Sequence, residues 1–263
     1  FDKPLDNSPI ASTRSIAWQK LICHLHPALS NADSITWLDC DIVINPNSPD
    51  PRQGQKEEDF LSCQEFDWGN DPQTTHLKEG WLKRQASDYT TAYKGKKFEG
   101  FYETWGFGEG SGPLINSGFF SFTPKHHGEL LRHVYTKYND DKVELWGEMV
   151  PLSETINKRG VLKLLDQRFN FLVYPFIVGA GYNINFKNQT ISKSEIIAAA
   201  SLIAKAFNSS YFLHFAGCKD IGMRIMSSFY ESENGEFRPD FKKCWPIMKR
   251  KLLLMGHDIN EDC

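Results

Sequence analysis

Apolar residues recur along this chain with a period that changes from segment to segment, and the first clear pattern is helical. Between Ser12 and Leu29, the residues Ile16, Ala17, Leu21, Leu25 and Ala28 fall at three- and four-residue steps, the stripe of an amphipathic helix. After the polar break from Ser30 to Asp33, Ile35-Thr36-Trp37-Leu38 is β-branched and aromatic and predicts a short buried strand that runs out into Asp39-Cys40-Asp41. Residues 45–112 lose aliphatic periodicity and gather Gly, Asp, Gln, Lys and aromatics, the pattern of a long loop-rich insertion. Leu114-Ile115 and the run Phe119 to Phe122 flank Asn116-Ser117-Gly118 and predict a second core strand. Pro124 then opens a helix with Leu130, Leu131, Val134, Tyr135 and Tyr138 on one face.

The same grammar continues to the end of the chain. A helix is expected from Pro151 to Lys158, stopping at Gly160, with one or two extended segments between Val161 and Tyr174. Ser192-Lys193-Ser194-Glu195 has the spacing of a capping box and opens a helix with Ile196, Ala200, Ile203 and Phe207 on one face. Tyr211 to Phe215 is strand-like and ends at Gly217. Strands alternating with helices, without a repeat or a long linker, predict one α/β domain over residues 1–263. Its expected sheet is mixed and mainly parallel, with 35–38, 119–122 and 211–215 as central neighbours and helices 12–29 and 192–206 on its faces.

Composition narrows the chemistry. The 263 residues carry 30 Lys plus Arg against 33 Asp plus Glu, a net charge of −3, and 40% are hydrophobic, so the chain can bury a core without disulfides. Near-balanced charge offers no uniform basic face, and no nucleic-acid partner is expected. The longest apolar region, Phe169 to Tyr182, falls short of the ~20 residues a bilayer span needs, so no membrane segment is expected. Cysteines at 23, 40, 63, 218, 244 and 263 form no CxxC pair and no metal-ribbon spacing. Sequons at Asn188 and Asn208 would matter only in a secretory lumen. Localisation stays open: a Golgi lumen if a eukaryotic full-length protein has an upstream anchor, the cytoplasm otherwise.

Two carboxylates at i and i+2 of a strand point to the same side, and at the carboxyl end of a sheet they face the space where α/β proteins bind ligands. Asp39 and Asp41 repel one another, which a divalent cation such as Mg²⁺ or Mn²⁺ would relieve; the alternative is a turn cap. His214, after an aromatic strand, is either a third ligand or a hydrogen-bonded core histidine.

The run Trp37-Leu38-Asp39-Cys40-Asp41-Ile42-Val43-Ile44-Asn45-Pro46 resembles the DxD segment of GT-A glycosyltransferases, and most of all glycosyltransferase family 34, the α-galactosyl- and α-xylosyltransferase group. In the family's order the chain also carries Trp18-Gln19-Lys20, Asn116-Ser117-Gly118, Glu148 with Leu152, Arg168-Phe169-Asn170, and His214-Phe215-Ala216-Gly217-Cys218-Lys219. The resemblance implies a GT-A-like fold and metal-dependent transfer of a hexose or pentose from a nucleotide-diphosphate sugar, a UDP-sugar, to a glycan acceptor, with retention of configuration. It implies Asp39, Asp41 and His214 as ligands of Mn²⁺ (or Mg²⁺), a carboxylate and imidazole set that suits Mn²⁺. It places Arg14, Lys20, Asp39, Asn116, Ser117, Gly118, Gly217 and Lys219 on the donor side. Glu148 is the implied active-site acid; because Gly147 and Met149 flank it where the family has an acid pair followed by Gln, Glu154 is the substitute. The aromatics from Trp68 to Phe107 are either an acceptor groove or the insertion's own small core. The family places a nucleotide-binding β-α-β unit before its DxD strand, so the chain is expected to be N-terminally truncated or unusually reduced there. Two other readings compete: a haloacid-dehalogenase-type phosphatase, with Asp39 as nucleophile and Asp140-Asp141 as the only adjacent Asp pair for its metal, and a non-catalytic carbohydrate-binding relative.

Overall fold

The structure, a computed structural model, describes residues 3–65, 102–103, 105–139, 147–182, 190–232, 237 and 239–260. Its strands are β1 (Ile35–Leu38), β2 (Ile42–Ile44), β3 (Phe60–Gln64), β4 (Ile115–Phe122), β5 (Leu162–Leu164), β6 (Phe171–Leu172), β7 (Thr190–Ser192), β8 (Phe212–His214) and β9 (Asp258–Asn260). Its α-helices are α1 (Pro9–Ser12), α2 (Pro124–Lys137), α3 (Met149–Arg159), α4 (Val173–Gly179), α5 (Lys193–Ser209), α6 (Lys219–Ser232) and α7 (Phe241–Leu254). The chain divides into two compact units. One holds the described parts of Phe1–Asp39, Pro49–Phe66 and Tyr93–Phe169, the other those of Cys40–Ser48 and Asn170–Cys263.

The first unit is built on a sheet of order β1-β4-β3-β5. β4 is antiparallel to both β1 and β3, and only β3 and β5 run parallel. Every residue of β4 is buried, because its two faces are both covered. Phe120 and Phe122 join Phe60, Trp18, Leu21, Leu131, Val134 and Leu152 in one apolar core. α2 begins with Pro124 in its first turn, where the missing N–H costs nothing. α3 ends as the sequence predicts, with Gly160 in the left-handed region at φ +66°.

The second unit carries a sheet of order β2-β8-β6, with β2 antiparallel and β6 parallel to β8, and a separate parallel pair of β7 and β9. Its core gathers Ile196, Ala200, Ile203 and Phe207 of α5 with Leu213, Phe215, Ile225, Phe229 and Met248. The predicted capping box is present: Ser192 accepts from the Glu195 N–H, and the Glu195 carboxylate accepts from the Ser192 N–H at 3.1 Å.

The α/β class, with mixed sheets flanked by helices, is as the sequence predicts, but the strand order differs. The segments 35–38 and 119–122 are neighbours, yet β1 lies at a sheet edge, β8 belongs to another sheet, and the pairing is not mainly parallel. Apolar runs reveal strands but carry no sign of direction, which is why parallel and antiparallel neighbours look alike in sequence. The helix expected over 12–29 is instead α1 followed by 3₁₀ segments Ile16–Leu25 and Pro27–Leu29. Trp18 to Cys23 are all buried, so the segment presents no polar face there, and Pro27 cuts it short. The stretch read as an insertion contains β3, whose Phe60-Leu61-Ser62-Cys63 is wholly buried between β4 and β5. Among its aromatics, Tyr102, Trp105 and Phe107 pack with Leu114, Met149 and Val150 in a small core. Those from Trp68 to Phe101, together with Asp140-Asp141 and Asn188, lie outside the described residues.

Candidate active site

In the first unit, β1 delivers Asp39 to the end of the sheet, where its N–H donates to the Gly118 carbonyl at 2.8 Å and the Trp37 indole N–H donates to its Oδ1 at 2.7 Å. Lys20 reaches the same place from the 3₁₀ segment. Its ammonium is 3.1 Å from Asp39 Oδ1, 3.0 Å from Glu148 Oε1 and 3.2 Å from the Ser117 carbonyl oxygen. Burial alone would lower the Lys20 pKa, but the flanking Glu148 and Asp39 carboxylates outweigh it and hold the pKa above its ordinary value. Glu148, at the N-terminus of α3, is only 4% exposed and also accepts from the Ser117 hydroxyl at 2.6 Å. Lys20, Asp39, Ser117 and Glu148 therefore form one polar cluster at the end of β1 and in β4.

Asn116 belongs to the next position of β4. Its Oδ1 accepts from the Gly118 N–H at 2.9 Å, and its amide N–H donates to Glu65. Asn116-Ser117-Gly118 is thus strand, not turn, and its side-chain amide closes a loop of hydrogen bonds with its own backbone. Glu65, at the end of β3, was not singled out by the sequence. Burial pushes its carboxyl up to about 7, opposed by the bond from Asn116. The signal that would have found it is the acidic residue closing Phe60-Leu61-Ser62-Cys63, a strand hidden in an otherwise loop-like stretch.

Two sequence candidates have other engagements. Glu154 is buried on α3, accepts from the Ser111 N–H and hydroxyl at 2.8 and 3.0 Å, and pairs with Lys158 at 2.6 Å. Arg14 stacks its guanidinium over the Trp18 and Tyr135 rings at 5.2 and 4.7 Å and donates to the Tyr135 carbonyl. Both hold elements of their unit together and make none of the contacts of the Lys20 cluster.

In the second unit, β8 carries His214 and β2 follows Asp41. Antiparallel pairing sets Ile42 opposite His214, and the Phe215 N–H donates to the Asp41 carbonyl at 2.9 Å. His214 Nε2 lies 3.3 Å from Asp41 Oδ1, and Nδ1 lies 2.8 Å from Asn170 Oδ1. A carbonyl oxygen accepts but cannot donate, so Nδ1 carries a hydrogen toward Asn170. Nε2 faces a carboxylate oxygen, and a hydrogen on Nε2 or a shared cation would bridge the two. Asn170, from the sequence Arg168-Phe169-Asn170, thereby fixes the imidazole orientation. Arg168 itself pairs with Asp166 at 2.8 Å.

Gly217 follows in the left-handed region at φ +78°, where a Cβ would also stand 3.3 Å from the Tyr174 ring. Cys218 is buried, and burial together with the Asp41 carboxylate raises its thiol pKa, so it stays protonated and offers no thiolate. Lys219 opens α6; its side chain lies outside what is described. Within this unit, the Asp41 carboxylate and the His214 imidazole are donors of the kind that a divalent ion takes.

Among the described residues, no helix is long and apolar enough to cross a membrane. No protein-family model matches the chain, and no curated protein does. Among solved structures it is similar to one described as a glycosyltransferase involved in the glycosylation of the major capsid of PBCV-1, at 14% identity and a TM-score of 0.41, over 82% of this chain and 74% of that one.

Proposed function

We propose that the protein is a metal-dependent glycosyltransferase that moves a hexose or pentose from a UDP-sugar to a glycan acceptor with retention. The observation that carries this reading is His214, its Nδ1–H held by Asn170 and its Nε2 turned to Asp41 two residues after Asp39. Asp39, Asp41 and His214 would hold Mn²⁺. When bound, the ion neutralises the diphosphate and stabilises the departing nucleoside diphosphate.

The chain's own residues supply the rest. Lys20 holds Glu148 and Asp39 in fixed positions in a buried, weakly screened setting. Glu148 Oε1 accepts from the Ser117 hydroxyl and pairs with Lys20, and Oε2 is the oxygen that would meet a sugar or acceptor hydroxyl. The Asn116 amide and Ser117 hydroxyl add polar groups against a sugar ring. Gly217 turns the backbone through the left-handed region just before Lys219 begins the helix, whose N-terminus would favour a phosphate.

Incubating the protein with a panel of UDP-sugars and glycan acceptors tests this. Transfer that depends on added Mn²⁺ and stops with a chelator is expected. Transfer that persists in chelator, or hydrolysis of simple phosphate esters in its place, would overturn the reading.

A further inference from the structure

We propose that Lys20 is a built-in cation that competes with the divalent ion for Asp39 and hands its attraction over to Glu148 when the ion binds. This rests on the metal-site reading above and deepens it. The ammonium is buried and sits between two carboxylates, 3.1 Å from Asp39 Oδ1 and 3.0 Å from Glu148 Oε1, with the Ser117 carbonyl oxygen at 3.2 Å. Three partners use its three hydrogens.

The two carboxylates are not equivalent. The Glu148 side chain is 5% exposed, whereas that of Asp39 is 31% exposed. Glu148 is therefore committed to Lys20 and Ser117, while Asp39 can share its charge with a ligand from solvent. Without an ion, Lys20 spares Asp39 from standing as an uncompensated anion. With an ion on Asp39, the positive charges repel and the ammonium leans to its other partner, Glu148. Loading the metal would then tighten the grip on the carboxylate proposed to meet the substrate. In this role Lys20 is a positioning residue, acting through Asp39 and Glu148.

The test is Mn²⁺ titration, by calorimetry or electron paramagnetic resonance, on the folded full chain without donor. Lys20→Met and Lys20→Gln both remove the competing charge; Gln keeps a donor for the Ser117 carbonyl and so preserves the fold if Met does not. Both are expected to bind Mn²⁺ about tenfold tighter than the parent, while kcat falls. Lys20→Arg keeps the charge and should keep the parent affinity. Adding Asp39→Asn to Lys20→Gln should abolish the gain. A merely structural lysine would lower Mn²⁺ affinity when removed, or leave it alone. Bound Mn²⁺ in the parent with unchanged or weaker binding in Lys20→Gln overturns this inference alone. A parent protein that binds no Mn²⁺ overturns the metal site, and this inference with it.

Discussion

His214 presents Nε2 to the Asp41 carboxylate at 3.3 Å because Asn170 takes its other ring hydrogen at 2.8 Å. Three residues from β2's start, the end of a 3₁₀ turn and β8 are needed for that one orientation.

Replacing Asn170 with Leu removes the acceptor while keeping most of the volume. The imidazole then loses its fixed tautomer, and Mn²⁺ affinity should fall roughly 10–100-fold, the usual cost of losing an outer-sphere partner of a metal-bound histidine. Mn²⁺ titration of the variant checks this; affinity equal to the parent would show that Asn170 does not orient the ring.

Asp41→Asn should abolish Mn²⁺-dependent transfer and leave the fold intact. The amide keeps a polar atom beside His214 Nε2, so stability should change by no more than ~1 kcal/mol. Turnover and a urea melt on the same preparation decide it, and retained turnover would refute the metal clamp.

Glu148→Gln keeps the shape of the Ser117 and Lys20 contacts but removes the carboxylate proposed to meet substrate. A fall in kcat of ~10²–10⁴ is expected, with nucleotide binding within about threefold of the parent. Lost nucleotide binding would reassign Glu148 to the donor site.

Glu65 makes stability depend on pH in a defined direction. Its folded pKa, about 7, lies above its ordinary value of 4.5, so the folded state binds the proton more tightly than the unfolded state. Its favourable contribution is complete below pH ~4.5 and is lost as pH rises through ~7, at about 1.4 kcal/mol per unit between the two. In Glu65→Gln, which still accepts from Asn116, that slope disappears. The difference in unfolding free energy between parent and variant should therefore grow in the variant's favour from pH 4.5 to 7.5; a constant difference would sink the assignment.

The site was more legible than the sheet. Asp39, Asp41 and His214 stood out because carboxylates at a strand end and a histidine after an aromatic run are odd for a core, and Asn170 appeared within a recognisable tripeptide. Capping signals also worked: Ser192, Glu195 and Gly160 sit where their chemistry demands, since caps are local. Strand order was not legible, because pairing partners such as Phe120 and Trp37 are chosen by long-range packing. Glu65 is harder to read for a related reason: its one local signal, the apolar run from Phe60 to Cys63, is short and set in a loop-like stretch. Arg14, expected on the donor side, lies over two aromatic rings, a contact that the sequence does not reveal.

The burial of all eight residues of β4 has a consequence for how this protein can change. A strand with no solvent-facing position has no neutral site at which sequence drifts freely. In a saturation scan the whole segment from Ile115 to Phe122 would stand out as one intolerant block, yet with two phenotypes inside it. Substitutions at Phe119, Phe120 and Phe122 would remove soluble protein, while those at Asn116 and Ser117 would leave soluble protein without the proposed transfer activity. Apolar core positions, Ile115 and Phe119 among them, flank Asn116-Ser117, so a single strand would record both the packing of the core and the polar cluster set into it.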